Sequence, residues 1–127
     1  MKWFARRQSA DIWDEPIQGP IGDIEAAERI RHICETARAG AEAVGGSART
    51  AERERERERE RYERAARVAM EIAMKIADDL MRDDAVRRIV DLCMKADDAK
   101  TAQILFRAIQ AGWVREAVQR DYPALAQ

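Results

Sequence analysis

The chain has 127 residues, enough for one domain or one domain with an arm. Charged residues make up 37% of it, yet 23 Lys and Arg against 24 Asp and Glu leave a formal charge of −1. Sequence order therefore shows no basic stripe of the kind nucleic-acid phosphates select, and no segment reaches the roughly 20 apolar residues of a membrane-spanning helix.

Residues 1–22 read as an extended aromatic and Pro-Gly arm. Pro16, Gly19, Pro20 and Gly22 fall close together, a density that stops both helix and strand. Trp3, Phe4 and Trp13 precede or flank that stretch. Large rings dominate interface energetics because each buries much area in a pocket, and Arg6 and Arg7 suit acidic groups. Trp3, Phe4, Arg6, Arg7 and Trp13 are thus the expected partner-binding side chains. The opening has no apolar run of signal-peptide length, and it is too short for a strong amphipathic membrane helix.

A first helix is predicted over 23–44, with Asp23 as N-cap. Ala27, Ile30, Cys34, Ala37, Ala41 and Val44 follow a 3-4-3-4-3 spacing, a heptad-like, coiled-coil seam that Ile24 and Ile33 widen. Gly45 and Gly46 are expected to end it in a left-handed cap and a tight turn.

Ser47 or Thr50 would cap a second helix running to about residue 81, roughly 48 Å at about 1.5 Å per residue. Residues 52–61 alternate Glu and Arg without interruption. Both types are strong helix formers. In such alternation, residues three apart attract and residues four apart repel, so propensity carries the helix more than charge. Tyr62, Ala66, Ala69, Ala73, Ile76 and Leu80 then follow a 4-3-4-3-4 spacing, broadened by Ala65, Val68, Ile72 and Met81. Residues 23–82 form an antiparallel hairpin on this reading. Its alanine end faces the Glu-Arg run and projects as a thinly packed charged tip. The leftover apolar face, Tyr62, Ala69, Ile72, Ala73, Ile76 and Leu80, would bury against the C-terminal helices or drive self-association.

Residues 83–127 would form three short helices packed on the hairpin base. Asp83 or Asp84 caps the first and Asp97 or Asp98 the second, and Gly112 breaks the second from the last. No β-branched alternation occurs, so the fold class is all-α: a long antiparallel helical hairpin, three short helices and an extended N-terminal arm.

Chemistry is sparse. His32 is the one histidine, and Cys34, two positions away on a helix, points to another face. Glu28 and His32 share a face at i,i+4, the spacing of an ordinary surface contact. Cys93 with His32 would need a shared pocket to act as a nucleophile pair. Both cysteines sit in apolar helical patterns and read as buried free thiols of a reducing, cytoplasmic setting. No phosphate loop or nucleophile elbow is present, and no cofactor or metal is expected. Ala108, Gly112 and Val118 have the spacing of a helix-turn-helix, which would make Arg115, Gln119 and Arg120 DNA-reading over 104–121. The leading expectation is a non-enzymatic helical interaction or assembly protein. It would form a homo-oligomer through the apolar half of its long helix and dock a protein partner with its arm. A small DNA-binding regulator is the alternative, and a membrane role is not expected.

Overall fold

The computed structural model describes residues 11–17, 19–46 and 51–126. Five α-helices follow in order: α1 (Asp23–Gly45), α2 (Glu52–Ala73), α3 (Asp79–Lys95), α4 (Ala99–Phe106) and α5 (Gly112–Asp121). Short 3-10 turns at Ile12–Asp14 and Pro123–Ala126 close the two ends, and the described residues contain no strand.

α1 is the centre of the molecule, lying between α2 and α3. It buries Ala26, Ile30, Ile33, Ala37, Ala41 and Val44. That stripe is rotated from the seam predicted by spacing. Ala27 and Cys34 are half-buried, and Ile24 is 71% exposed. One heptad stripe serves one partner; two partners need a wider face, and the Ile33 side supplies it. α3 adds Val86, Ile89, Val90 and Cys93 to the same core.

The second helix is shorter than expected. It stops at Ala73 instead of continuing to 81, and neither Pro nor Gly marks the break. Two aspartates build it. Asp23 accepts the backbone N–H of Ala77 (2.9 Å) and of Asp78 (3.0 Å), groups a continuing helix would have kept for itself. Asp78 then caps α3 by accepting the Met81 N–H at 2.9 Å, and the Arg82 guanidinium covers the Ile76 carbonyl at 3.2 Å. The resulting elbow turns Ile76 into the chain's own core and leaves Leu80 53% exposed. α3 is therefore a full 17-residue helix beginning before residue 83.

The glycines at the end of α1 work differently from the expected left-handed cap. Gly45 is still helical, Gly46 is extended at φ −81°, and neither has positive φ. Gly45 instead permits close approach. A Cβ there would land on the Lys95 carbonyl oxygen and 2.8 Å from the Ala96 carbonyl carbon. The α1 end thus docks on the end of α3, with Ala41 and Val44 buried, and does not project as a thin tip. The Arg55 guanidinium also donates to the Val44 carbonyl (3.2 Å) and the Gly46 carbonyl (2.8 Å), ending α1 with a side chain from the Glu-Arg run. The candidate caps Ser47 and Thr50 lie outside the described residues.

α3 ends in a Schellman arrangement. The Asp97 N–H reaches the Met94 carbonyl and the Asp98 N–H the Cys93 carbonyl, with Asp97 itself at φ +57°. α4 stops at Phe106, and Gly112 opens α5 rather than breaking a preceding helix. The carboxylate of Asp83, 1% exposed, fixes that junction by accepting the N–H groups of Gln110 (3.2 Å) and Ala111 (2.8 Å). The Tyr122 hydroxyl donates to Asp91 at 3.0 Å, and Leu125 is buried beyond it.

Candidate functional site: a groove between α2 and α4

The arm's described part is packed against the chain's own helices. Trp13, in the 3-10 turn Ile12–Asp14, is 2% exposed, so it is a core residue and not a free anchor. Arg61 of the Glu-Arg run clasps it, with its guanidinium 5.3 Å from the indole centroid. The same guanidinium donates twice to Asp11 (2.8 and 3.2 Å) and to both carboxylate oxygens of Glu58 (2.8 and 3.2 Å). The Asp11 bonds push Arg61's pKa above its usual value. Arg64 reaches Asp14 at 3.5 Å, and Arg29 donates to the Glu15 carbonyl. Among the described residues the buried Trp13 indole N–H has no partner, an unmade bond worth about 1–3 kcal/mol. Trp3, Phe4, Arg6 and Arg7 lie outside the described residues.

Of the expected self-association face, Tyr62, Ala69, Ile72, Ala73 and Ile76 are buried within the single chain, and only Leu80 faces outward. Hairpin and C-terminal helices together already cover it. Of the DNA-reading candidates, Arg115 and Arg120 are exposed and Gln119 is half-buried. Arg115 stacks over the Phe106 ring at 5.2 Å. Ala108 is exposed, and Gly112 lacks the positive φ of a turn glycine, so this spacing does not build the helix-turn-helix corner.

Conventional chemistry is not assembled. Among the described residues, no group of three or more His, Cys, Asp or Glu is placed to hold a metal. His32 and Glu28 are both exposed on α1. Burial pushes the Cys34 thiol up to about 12 and the Cys93 thiol up to about 11, so both stay protonated near neutral pH.

One of the molecule's several surface depressions lies between α2 and α4. α2 and α4 share almost no direct packing, because α4 stands on α3. A groove of about 330 Å³ remains between them, lined by Tyr62, Ala66 and Met70 from α2 and by Thr101 and Leu105 from α4. The α2 residues recur every four positions, which sets them along one side of the helix. A polar connection holds the groove's inner end. The Tyr62 hydroxyl donates to Asp98 at 2.7 Å, and Asp98 accepts the Thr101 N–H at 3.2 Å as the cap of α4. Burial pushes Tyr62's pKa up, with Cys93 and Asp98 adding to it. Burial would raise Asp98 too, but the Tyr62 and Thr101 donors outweigh it and hold it below the usual carboxylate range. The phenol is thus a donor and the carboxylate an acceptor, each already used by the other. Past Tyr62 the groove opens into a polar depression of about 450 Å³ beside Arg55, Arg59 and Asp97.

The Tyr62–Asp98 pair, 36 positions apart, has no local sequence signal. Tyr62 was expected as the first member of the apolar face over 62–80, not as half of a polar pair. Among the described residues, no helix is long and apolar enough to cross a membrane. No protein-family model matches this chain, no curated protein matches it in sequence, and no solved structure matches it in fold.

Proposed function

We propose that the chain is a non-enzymatic helical interaction protein whose α2–α4 groove seats an apolar-faced segment of a protein partner. The observation that carries this reading is the groove itself, floored by the buried Tyr62, Ala66 and Leu105 and edged by the half-buried Met70, where two helices make almost no direct contact. Residues at i, i+4 and i+8 along one wall suit recognition of a helix that presents matching i, i+4 side chains. The nearby Thr101, Glu63 and Arg67 supply a polar rim. Self-association through residues 62–80 fits poorly with their burial. Among the described residues, the large exposed apolar side chains open to a homo-oligomer are Ile24, Met74, Leu80, Ile104 and Trp113.

Selection of a displayed peptide library on the folded protein tests the groove. The selected peptides should carry apolar residues three and four apart, and Met70→Glu should weaken them at least tenfold, while Leu80→Glu leaves them unchanged. Peptides equally indifferent to Met70→Glu would remove the groove from consideration.

A further inference from the structure

We infer that the cleft between α1 and α3 is a binding site for a small molecule carrying two adjacent phosphoryl groups. The cleft shares no lining residue with the α2–α4 groove, so the two readings stand or fall separately.

The fold assembles here what sequence order hides. Arg31 and Arg38 lie seven positions apart on α1, and Arg88 and Lys95 lie seven apart on α3. On a helix, residues seven apart share a face. The four side chains line one cavity of about 150 Å³, with the half-buried Cys34 and the buried Leu92 among its walls. Asp23 of α1 accepts the N–H groups just before α3, and Gly45 lies on the backbone at the end of α3, so the two helices run parallel. Interpolated between those contacts, Arg88 stands between Arg31 and Arg38, and Lys95 stands beyond Arg38. The cations therefore alternate between the helices in a row that covers roughly 19 Å of helix axis. A single phosphate group touches less than that, so the row suits a ligand with more than one.

The hydrogen bonding of these cations points the same way. Arg38 meets Glu42 at 3.5 Å and Arg88 meets Asp84 at 3.3 Å, each through Nε and each through a carboxylate outside the cavity lining. Among the described residues, the terminal Nη groups of both guanidiniums carry no hydrogen bond, and Lys95 makes no ion pair. A guanidinium held at Nε keeps its terminal N–H groups for a ligand, and that planar fork matches phosphate oxygens in pairs.

Two carboxylates also line the cavity. Glu35 meets Arg31 at 3.7 Å with its side chain 63% exposed, so it is able to turn away into solvent. Asp91 is engaged by the Tyr122 hydroxyl. Four cations against these two leave the lining positive in a chain whose formal charge is −1. Burial pushes the Cys34 thiol up to about 12; Arg88 pulls against that, and Cys93, Asp91 and Glu35 add to it. The thiol is therefore a neutral S–H near pH 7 and does not repel an anion.

Inorganic pyrophosphate titrated into the full chain at fixed ionic strength tests the site, followed by NMR of the arginine Nε–H signals and the Cys34 amide. Arg38, Arg88 and Cys34 should shift together and saturate, and orthophosphate should bind roughly tenfold more weakly. Arg38→Gln/Arg88→Gln should weaken pyrophosphate binding roughly tenfold or more. Arg53→Gln/Arg57→Gln, the same loss of charge on exposed residues of the Glu-Arg run, should leave it unchanged. Glu35→Gln should tighten binding by removing the competitor for Arg31, a gain that damage to the fold would not produce. Absence of saturable shifts at Arg38, Arg88 and Cys34 would overturn the inference. Equal losses from the two arginine pairs would overturn it in favour of diffuse attraction to any cation. Equal affinity for orthophosphate would overturn the paired-phosphoryl ligand. A single-stranded oligonucleotide that moves the same signals and binds more tightly than pyrophosphate would overturn it in favour of a nucleic-acid surface.

Discussion

The two halves of α2 are one continuous helix held in place by opposite means. From Tyr62 to its end the helix buries Tyr62, Ala65, Ala66, Ala69, Ile72 and Ala73 and is fixed by packing. Before Tyr62 it buries no side chain. There it is fixed by arginines acting as long arms: Arg55 to the carbonyls that end α1, and Arg61, at the boundary, to Asp11 and Trp13. Apolar burial is strong and insensitive to salt, whereas exposed ion pairs contribute about 0–1 kcal/mol each and weaken with screening. The Glu-Arg run is thus no inert solubilising rod, but its hold on the fold is conditional on the medium.

Truncating the packed half should show the largest effect. Ile72→Ala should destabilise the protein by about 2–5 kcal/mol in urea unfolding, while Arg57→Ala in the polar half should stay within about 0.5 kcal/mol. Similar losses at both positions would erase the distinction. Gly45→Ala comes next. The new methyl meets the backbone of residues 95–97, which has no rotamer to yield, and a loss of about 1–3 kcal/mol is expected. Asp83→Ala should cost a comparable amount, because it strands the Gln110 and Ala111 N–H groups in the interior.

The clasp should respond on a smaller scale. Arg61→Ala should change stability by about 1 kcal/mol at low salt and less at high salt, with Trp13 emission shifting to the red as its cover leaves. A salt-independent loss would mean that Arg61 acts through packing of its stem and not through charge. At the other end of the scale, Asp97→Gly should stabilise by up to about 1 kcal/mol, since glycine takes φ +57° without the strain a side chain imposes.

The helices packed beside α2 also predict a pH response. The Cys34 and Cys93 thiols, ordinarily near 9.0, are raised to about 12 and about 11. Folding therefore favours their protonated forms, so their contribution is intact below pH 9 and is lost as pH rises through 11 to 12. Equilibrium unfolding should show a plateau near neutrality and a decline above pH 9. Cys34→Ser/Cys93→Ser should blunt that decline.

How much of this was legible follows the same division. The all-α class, the extent of α1 and the apolar change at Tyr62 were readable, because helical periodicity and composition are local signals. The elbow at 74–78 was not. Residues 74–78 are good helix material, and the break depends on Asp23, more than 50 positions away. The role of Gly45 was misread for a related reason: glycine signals backbone freedom, but here the demand is space beside α3. Trp13 was recognised as unusual, but burial in the same chain or in a partner leaves the same trace in sequence. The groove was invisible, since it arises where α4 stands on α3 and makes almost no direct contact with α2.

Asp83 has a consequence in time as well as in space. During synthesis its carboxylate leaves the ribosome 27 residues before the first of the two amides that will satisfy it. Until those amides arrive, burying that side chain leaves its polar oxygens without partners, which favours a start of α3 that stays open to water. The C-terminal quarter of the chain is therefore the closing step of assembly. A polypeptide halted after Ile109 would lose more than α5, because it would leave the N-terminal turns of α3 without a sealed interior.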